Sequence, residues 1–215
     1  MKKTCLFSAI IVALSAGLAG ADVADDINNA IKDFSAEEVE TRIGALQTIT
    51  DIGKAATAQL LEKLGAEKVT VRTYACKALG NIADSKARPG LEETLKNDVS
   101  PAVRAAAAEA LGAFKADALE ALRNAAAEDD DEHVRLSATI SIASVRTKPA
   151  IDLLIWLLKS HGGAVKRLAA ESLRDITLQD FDTDYENWRK WWLDNRDDFQ
   201  ITMQTYPYHP VEDEE

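Results

Sequence analysis

The chain has 215 residues, with 25 Lys plus Arg against 36 Asp plus Glu, a net charge of −11 at pH 7, a hydrophobic fraction of 47% and only 5 Pro and 10 Gly. That length fits one compact domain or one repeat array, and the apolar content is too high for a disordered chain. The acidic balance argues against nucleic acid and acidic lipid as partners, because phosphate binding rests on clustered Lys and Arg. Two Cys cannot build a disulfide scaffold, and three widely spaced His argue against a His-rich metal centre.

Residues 1–21 read as a secretory signal peptide: a basic start at Lys2 and Lys3, an apolar run from Leu6 to Gly20, and a small-x-small cleavage signal at Ala19-Gly20-Ala21. The run is too short for a membrane anchor, which needs about 20 apolar residues. Cleavage after Ala21 removes two Lys and leaves an exported chain with Cys76 as its single thiol, expected to pack as a small apolar residue. No membrane association is expected after cleavage. Residues 22–35 predict an N-terminal capping helix, with Ile27, Ile31 and Phe34 on one face and Asp25 and Asp26 outside.

Residues 36–176 carry an internal repeat. A basic residue recurs at Arg42, Arg72, Arg104, Arg135 and Lys166. Three positions after each stands Ala45, Ala75, Ala107, Ala138 and Ala169, and seven after each stands Ile49, Leu79, Leu111, Ile142 and Leu173. With Ile52, Ile82, Phe114, Val145 and Ile176 at offset +10, and Val71, Val103, Val134 and Val165 at −1, these residues trace one buried helical face. An earlier helix in each unit is marked by Leu60, Leu91, Leu122 and Leu153, with Leu64, Leu95, Ala126 and Leu157 one turn later. The unit is a helix pair, and the invariant Ala lets stacked helices approach to the short end of the ~8–10 Å packing range. The fold class is therefore all-α, an α-solenoid of about five pairs and roughly 50 Å long, which offers surface area instead of a deep pocket.

The segments TVRTYACKALGNI at 70–82, AVRAAAAEALGAF at 102–114 and HVRLSATISIASV at 133–145 resemble the HEAT repeats, in particular the short bacterial type of phycobilin-lyase-like proteins, within the armadillo-like helical class. The resemblance implies that an Asp in the turn before the second helix pairs with the Arg of a stacked repeat, as Asp98 with Arg104 and Asp129 with Arg135 would imitate. Lys166, and Glu67 near the equivalent turn before Arg72, depart from that pattern, so the ladder is expected to be incomplete there. The scaffold carries many unrelated functions. Two related enzymes suggest activities: deoxyhypusine hydroxylase, whose di-iron centre uses His-Glu dipeptides, and the phycobilin lyases, which act on cytoplasmic antenna proteins. Here His133, His161 and His209 precede Val, Gly and Pro, and the export signal is at odds with an antenna substrate.

Residues 177–199 predict a C-terminal capping helix opened by a Thr183–Glu186 capping box, with Trp188, Trp191 and Trp192 on one face. They read as a lid over the last repeat, with an aromatic platform for carbohydrate or peptide as the alternative. The run Asp180, Asp182, Asp184, Glu186 begins like a calcium loop, but Tyr185 and Trp191 stand where the Gly and the closing Glu belong, so helix capping is expected instead. The acidic stretch Glu128 to Glu132 likewise reads as a solvated cap opening a helix at His133. Residues 200–215 read as an extended acidic tail.

No nucleophile–base pair, phosphate loop or metal spacing is present, so no catalytic residue, cofactor or metal is assigned. The expected role is that of an exported, non-catalytic scaffold for a protein or peptide. The alternatives are a lyase-like enzyme or a calcium- or carbohydrate-binding module. In the resembling family the second helices line the concave side, and offsets +1, +5 and +8 from the basic residue lie opposite the buried stripe. Those columns hold Lys77, Glu109, Leu136, Ile140, Arg167, Glu171 and Arg174, the candidate partner-binding residues, together with Thr73, Gly80, Ala105, Gly112 and Ala143.

Overall fold

The computed structural model describes residues 20–160 and 162–201. The signal-peptide and tail readings therefore fall almost wholly outside the described residues, as does His161. Within them lie eleven α-helices and no strand. In chain order these are α1 (Gly20–Asp33), α2 (Val39–Ile52), α3 (Thr57–Lys63), α4 (Val69–Ile82), α5 (Arg88–Asn97), α6 (Pro101–Leu111), α7 (Leu119–Glu128), α8 (Glu132–Val145), α9 (Lys148–Leu157), α10 (Gly163–Thr177) and α11 (Tyr185–Asn195). Among the described residues no helix is long and apolar enough to cross a membrane.

The even-numbered helices α2 to α10 carry the five basic positions, and the odd-numbered helices precede them, so the chain is a stack of five pairs closed by α11. The expected N-terminal cap, α1, is itself the outer member of the first pair: Ile27, Ile31 and Phe34 are buried against α2 and the neighbouring layer, and Asp25 and Asp26 face solvent. Pro stands in the first turn of α5, α6 and α9, where its missing N–H is no loss. Asp131 caps α8 by accepting from the N–H groups of His133 and Val134, as expected of the acidic loop.

The predicted stripe is the core. Ala75, Ala107, Ala138 and Ala169 are fully buried, as are Leu79, Leu111, Ile142 and Leu173 in the next column. In the first-helix column Leu60, Leu91 and Leu122 are buried, but Leu153 is only half-buried, because α9 turns Ile151 and Leu154 inward in its place. The second helices approach each other more closely than the first helices do, which bends the array toward them. Gly80 marks the tightest approach: a Cβ there would sit 2.7 Å from the Ala110 Cα of the next layer. In α6, at the centre, every residue from Val103 to Ala108 is buried.

The closing helix is a lid. Trp188 and Trp192 are buried and Trp191 is half-buried, packed with Phe181 and Phe199 in edge-on contacts. Both buried indoles donate: Trp188 Nε1 to the Asp182 carbonyl at 2.7 Å and Trp192 Nε1 to Asp152 Oδ1 at 2.6 Å. Arg196 also holds Asp152 at 2.9 Å, tying α11 to α9. The cap of α11 is Asp184, which accepts from the N–H groups of Glu186 and Asn187, and not the Thr183–Glu186 box read from sequence. Asp wins because its carboxylate reaches two amides from the residue directly before the helix.

Candidate functional site

Along one edge of the stack the turns before the second helices carry an arginine ladder. Arg42, Arg72, Arg104 and Arg135 each donate Nη1 to the carbonyl of the residue six positions earlier, at 2.6, 2.8, 3.0 and 2.7 Å. The rest of the guanidinium reaches forward to the next layer. Arg72 donates Nε and Nη2 to the two Asp98 oxygens at 2.7 and 2.9 Å, and Arg104 does the same to Asp129 at 2.9 and 2.8 Å. The side-chain partners are therefore Arg72–Asp98 and Arg104–Asp129. The pairs Asp98–Arg104 and Asp129–Arg135, named from the resemblance, meet only through the Asp carbonyls. The assignment is one layer off because the fork sits between two turns and its two edges serve different layers.

Burial by itself would raise the Asp98 and Asp129 carboxyls. The bonds from Arg72 and the Ser100 N–H at one, and from Arg104 and the Asp131 N–H at the other, outweigh it and hold both below the usual carboxylate range. Cys76, fully buried beside this edge, has its thiol pushed up to about 12 by burial and by Asp98, so it stays protonated and packs as an apolar residue.

Two rungs lack a carboxylate. Ala66 stands where Arg42 would find one, and Arg42 Nε is buried without a hydrogen-bond partner, with the Tyr74 ring centred 5.7 Å from its guanidinium. Ser160 stands where Arg135 would find one, and there the edge opens into a pocket of about 520 Å³ lined by Arg135, Trp156, Lys159, Ser160, Val165 and the Asp129 turn. The expectation of an incomplete ladder near Glu67 and Lys166 rested on those residues, whereas the missing acids are at Ala66 and Ser160, and no pocket was expected. The available signal was the 31-residue register, which puts Ser160 under Asp129.

The face assigned to partner binding is only partly open. Lys77, Glu109, Ile140, Arg167, Glu171 and Arg174 are exposed, and Ile140 is 55% accessible. Leu136 departs from the expectation, being half-buried and packed against the core. Among the associated positions Ala105 is buried, and Gly80 lies against Ala110, because the close approach of the second helices draws the +1 and +8 columns of the middle layers into the interface. What remains between α4 and α6 is a groove of about 350 Å³ lined by Lys77, Gly80, Asn81, Ala106, Glu109 and Ala110. Arg174 Nη1 lies 3.9 Å from Asp180 in the lid loop, an exposed pair of small energetic weight.

Among the described residues no group of three His, Cys, Asp or Glu side chains is placed to hold a metal ion. In the run that begins like a calcium loop, Asp180 accepts from the Asp182 N–H and Asp184 caps α11, so both carboxylates are engaged by local backbone.

HEAT repeats match the chain three times, over residues 27–112, 57–143 and 89–174. No curated protein matches. Among solved structures the chain is similar to the complex of CpcE and CpcF of phycocyanin lyase from Nostoc sp. PCC7120, with a TM-score of 0.61 and 24% identity over 69% of this chain and 98% of that one. An engineered protein aligns with a TM-score of 0.47 and 20% identity over 80% of this chain and 97% of that one. At these identities the likeness concerns the fold.

Proposed function

Because the chain belongs to the HEAT-repeat family, whose stacked pairs create extended concave surfaces, we propose that it is a non-catalytic scaffold that binds a protein or peptide across the face of its second helices. The observation that carries this reading is the juxtaposition on α8 and α10 of Ile140, 55% exposed, with the open side chains of Arg167, Glu171 and Arg174. An apolar anchor beside mixed charge suits a peptide with one aliphatic residue and a nearby carboxylate. The occurrence of CpcE and CpcF as a complex supports a protein partner. We further propose that the protein is exported, residues 1–21 serving as its signal peptide; mass spectrometry of the mature chain should then find Asp22, within a residue or two, at its start.

Leu136 contributes to the core, so the clean test is Ile140→Lys combined with Arg167→Glu. The double variant should keep the helical circular dichroism signal and the melting temperature while losing the partner captured from an extract of the native envelope. Undiminished capture would remove this face as the site. A lyase-like activity is the competing reading, supported by the same solved complex. Tight or covalent uptake of a bilin, seen as visible absorbance migrating with the chain, would replace the scaffold reading.

A further inference from the structure

The ladder has a built-in control. Arg72, Arg104 and Arg135 occupy equivalent positions, and each spends Nη1 on the carbonyl six residues back. In the first two the Nε and Nη2 edge meets both oxygens of an Asp 26 or 25 residues further on. In the third the residue 25 positions on is Ser160, whose hydroxyl donates to the Gly162 carbonyl at 3.4 Å. No carboxylate among the described residues reaches Arg135. Its side chain instead lines the 520 Å³ pocket.

The pocket wall matches a carboxylate with an apolar neighbour. Lys159 adds a second cation, its Nζ resting 4.0 Å from the centroid of the Tyr185 ring. Trp156 is 45% exposed and, with Val165 and Ala126, supplies the apolar side; the Arg123 guanidinium lies 5.9 Å from the centre of its indole. Asp129 is the one acid on the wall, and its two oxygens are already held by Arg104 and the Asp131 N–H, which leaves little negative charge free to repel an anion.

We propose that the Arg135 pocket is a carboxylate-binding site, in which an external carboxylate takes the place that Asp98 and Asp129 fill at the inner rungs. A guanidinium edge whose geometry already accepts a bidentate carboxylate twice in the same molecule is preorganised for a third. The carboxylate is either a chain terminus or an acidic side chain of a bound peptide, with an aliphatic or aromatic neighbour resting on Trp156. The site lies on the ladder edge, apart from the Ile140 face, and stands independently of what that face binds.

The test follows the Nε–H resonance of Arg135 by NMR in the full chain at constant ionic strength, titrated with N-acetyl-leucine, with N-acetyl-leucyl-aspartyl amide, and with N-acetyl-leucinamide as a probe without a carboxylate. A saturable, millimolar shift with either acid and none with the amide is expected, and the larger response identifies the source as terminus or side chain. Ser160→Asp should fill the rung from within the chain, weakening the response at least tenfold and raising the melting temperature. Arg135→Gln, read at the Trp156 indole N–H of the same pocket because it lacks the arginine reporter, should abolish the response seen there in the original protein, with circular dichroism verifying the fold of both variants. Equal responses to the acids, the amide and chloride would overturn the proposal, as would a folded Ser160→Asp protein that binds as well as the original.

Discussion

The inner and outer rungs of the ladder differ by one side chain per turn, and the difference decides whether the edge of the array is sealed or open. At Arg72 and Arg104 a carboxylate closes the gap between layers, with both partners nine-tenths buried and every guanidinium edge bonded. At Arg42 and Arg135 the same arginine makes the same carbonyl bond, but Ala66 and Ser160 offer nothing to the other edge. The first gap is covered by Tyr74 and the second opens as a pocket. A buried ion pair of this kind is weak evidence for net stability, yet removing one partner strands a charge. The repeat therefore uses the carboxylate chiefly to specify how successive turns dock.

The largest break in the comparison is Asp98→Ala. It leaves Arg72 buried without its carboxylate and should cost roughly 3 kcal/mol in denaturant unfolding, the low end for a broken buried pair. Ser160→Ala, at the equivalent position of the open layer, should change stability by less than about 0.5 kcal/mol. Equal losses would mean that the rungs are not distinct.

Ala107→Leu tests the packing that brings the rungs into reach. Ala107 is fully buried at the centre of α6, so the added volume should force layers apart and cost about 1–3 kcal/mol, lowering the melting temperature by several degrees. An unchanged melt would mean that the stack yields there.

Acid should act through the inner rungs. The Asp98 and Asp129 carboxyls titrate below their unfolded range, so the folded state binds fewer protons than the unfolded state does. Their contribution is complete above an unfolded pKa of about 4 and is lost as pH falls through and below it. The melting temperature should drop between about pH 5 and 3, and Asp98→Asn should flatten that slope. A slope unaltered in Asp98→Asn would place the acid sensitivity elsewhere. One change should be a gain: Ala66→Asp offers the orphaned Arg42 Nε an acceptor and should add about 1 kcal/mol. A loss would show that Tyr74 already occupies the space.

The array was legible because its signal is repeated. One helical face appears five times at fixed offsets, and each copy checks the others, so the pattern alone assigns Ala107, Leu111 and Val103 to the core, where they lie. The lid was legible from three indoles at helical spacing, since so much apolar area must find cover. Leu136 and Ala105 were misplaced because a helical wheel shows which side a residue is on but not how near the next helix comes.

Sequence alone determined the period, the helix pairs and the buried stripe, because each depends on residue type at a local spacing. Tertiary structure decided which Asp each Arg meets, since the contact spans 25 or 26 residues and depends on how two turns dock. It also decided that offset +11, held by Gly53, Ala83, Lys115 and Arg146, has a positive φ in the first four of the five layers. Only the first of these residues advertises such a turn by type, and the others accept the strain because the next helix must be redirected to cover the stripe. The pocket at Arg135 is of the same kind. It arises from a missing partner in a neighbouring layer, and proximity along the chain carries no information about which layers become neighbours until the helices pack.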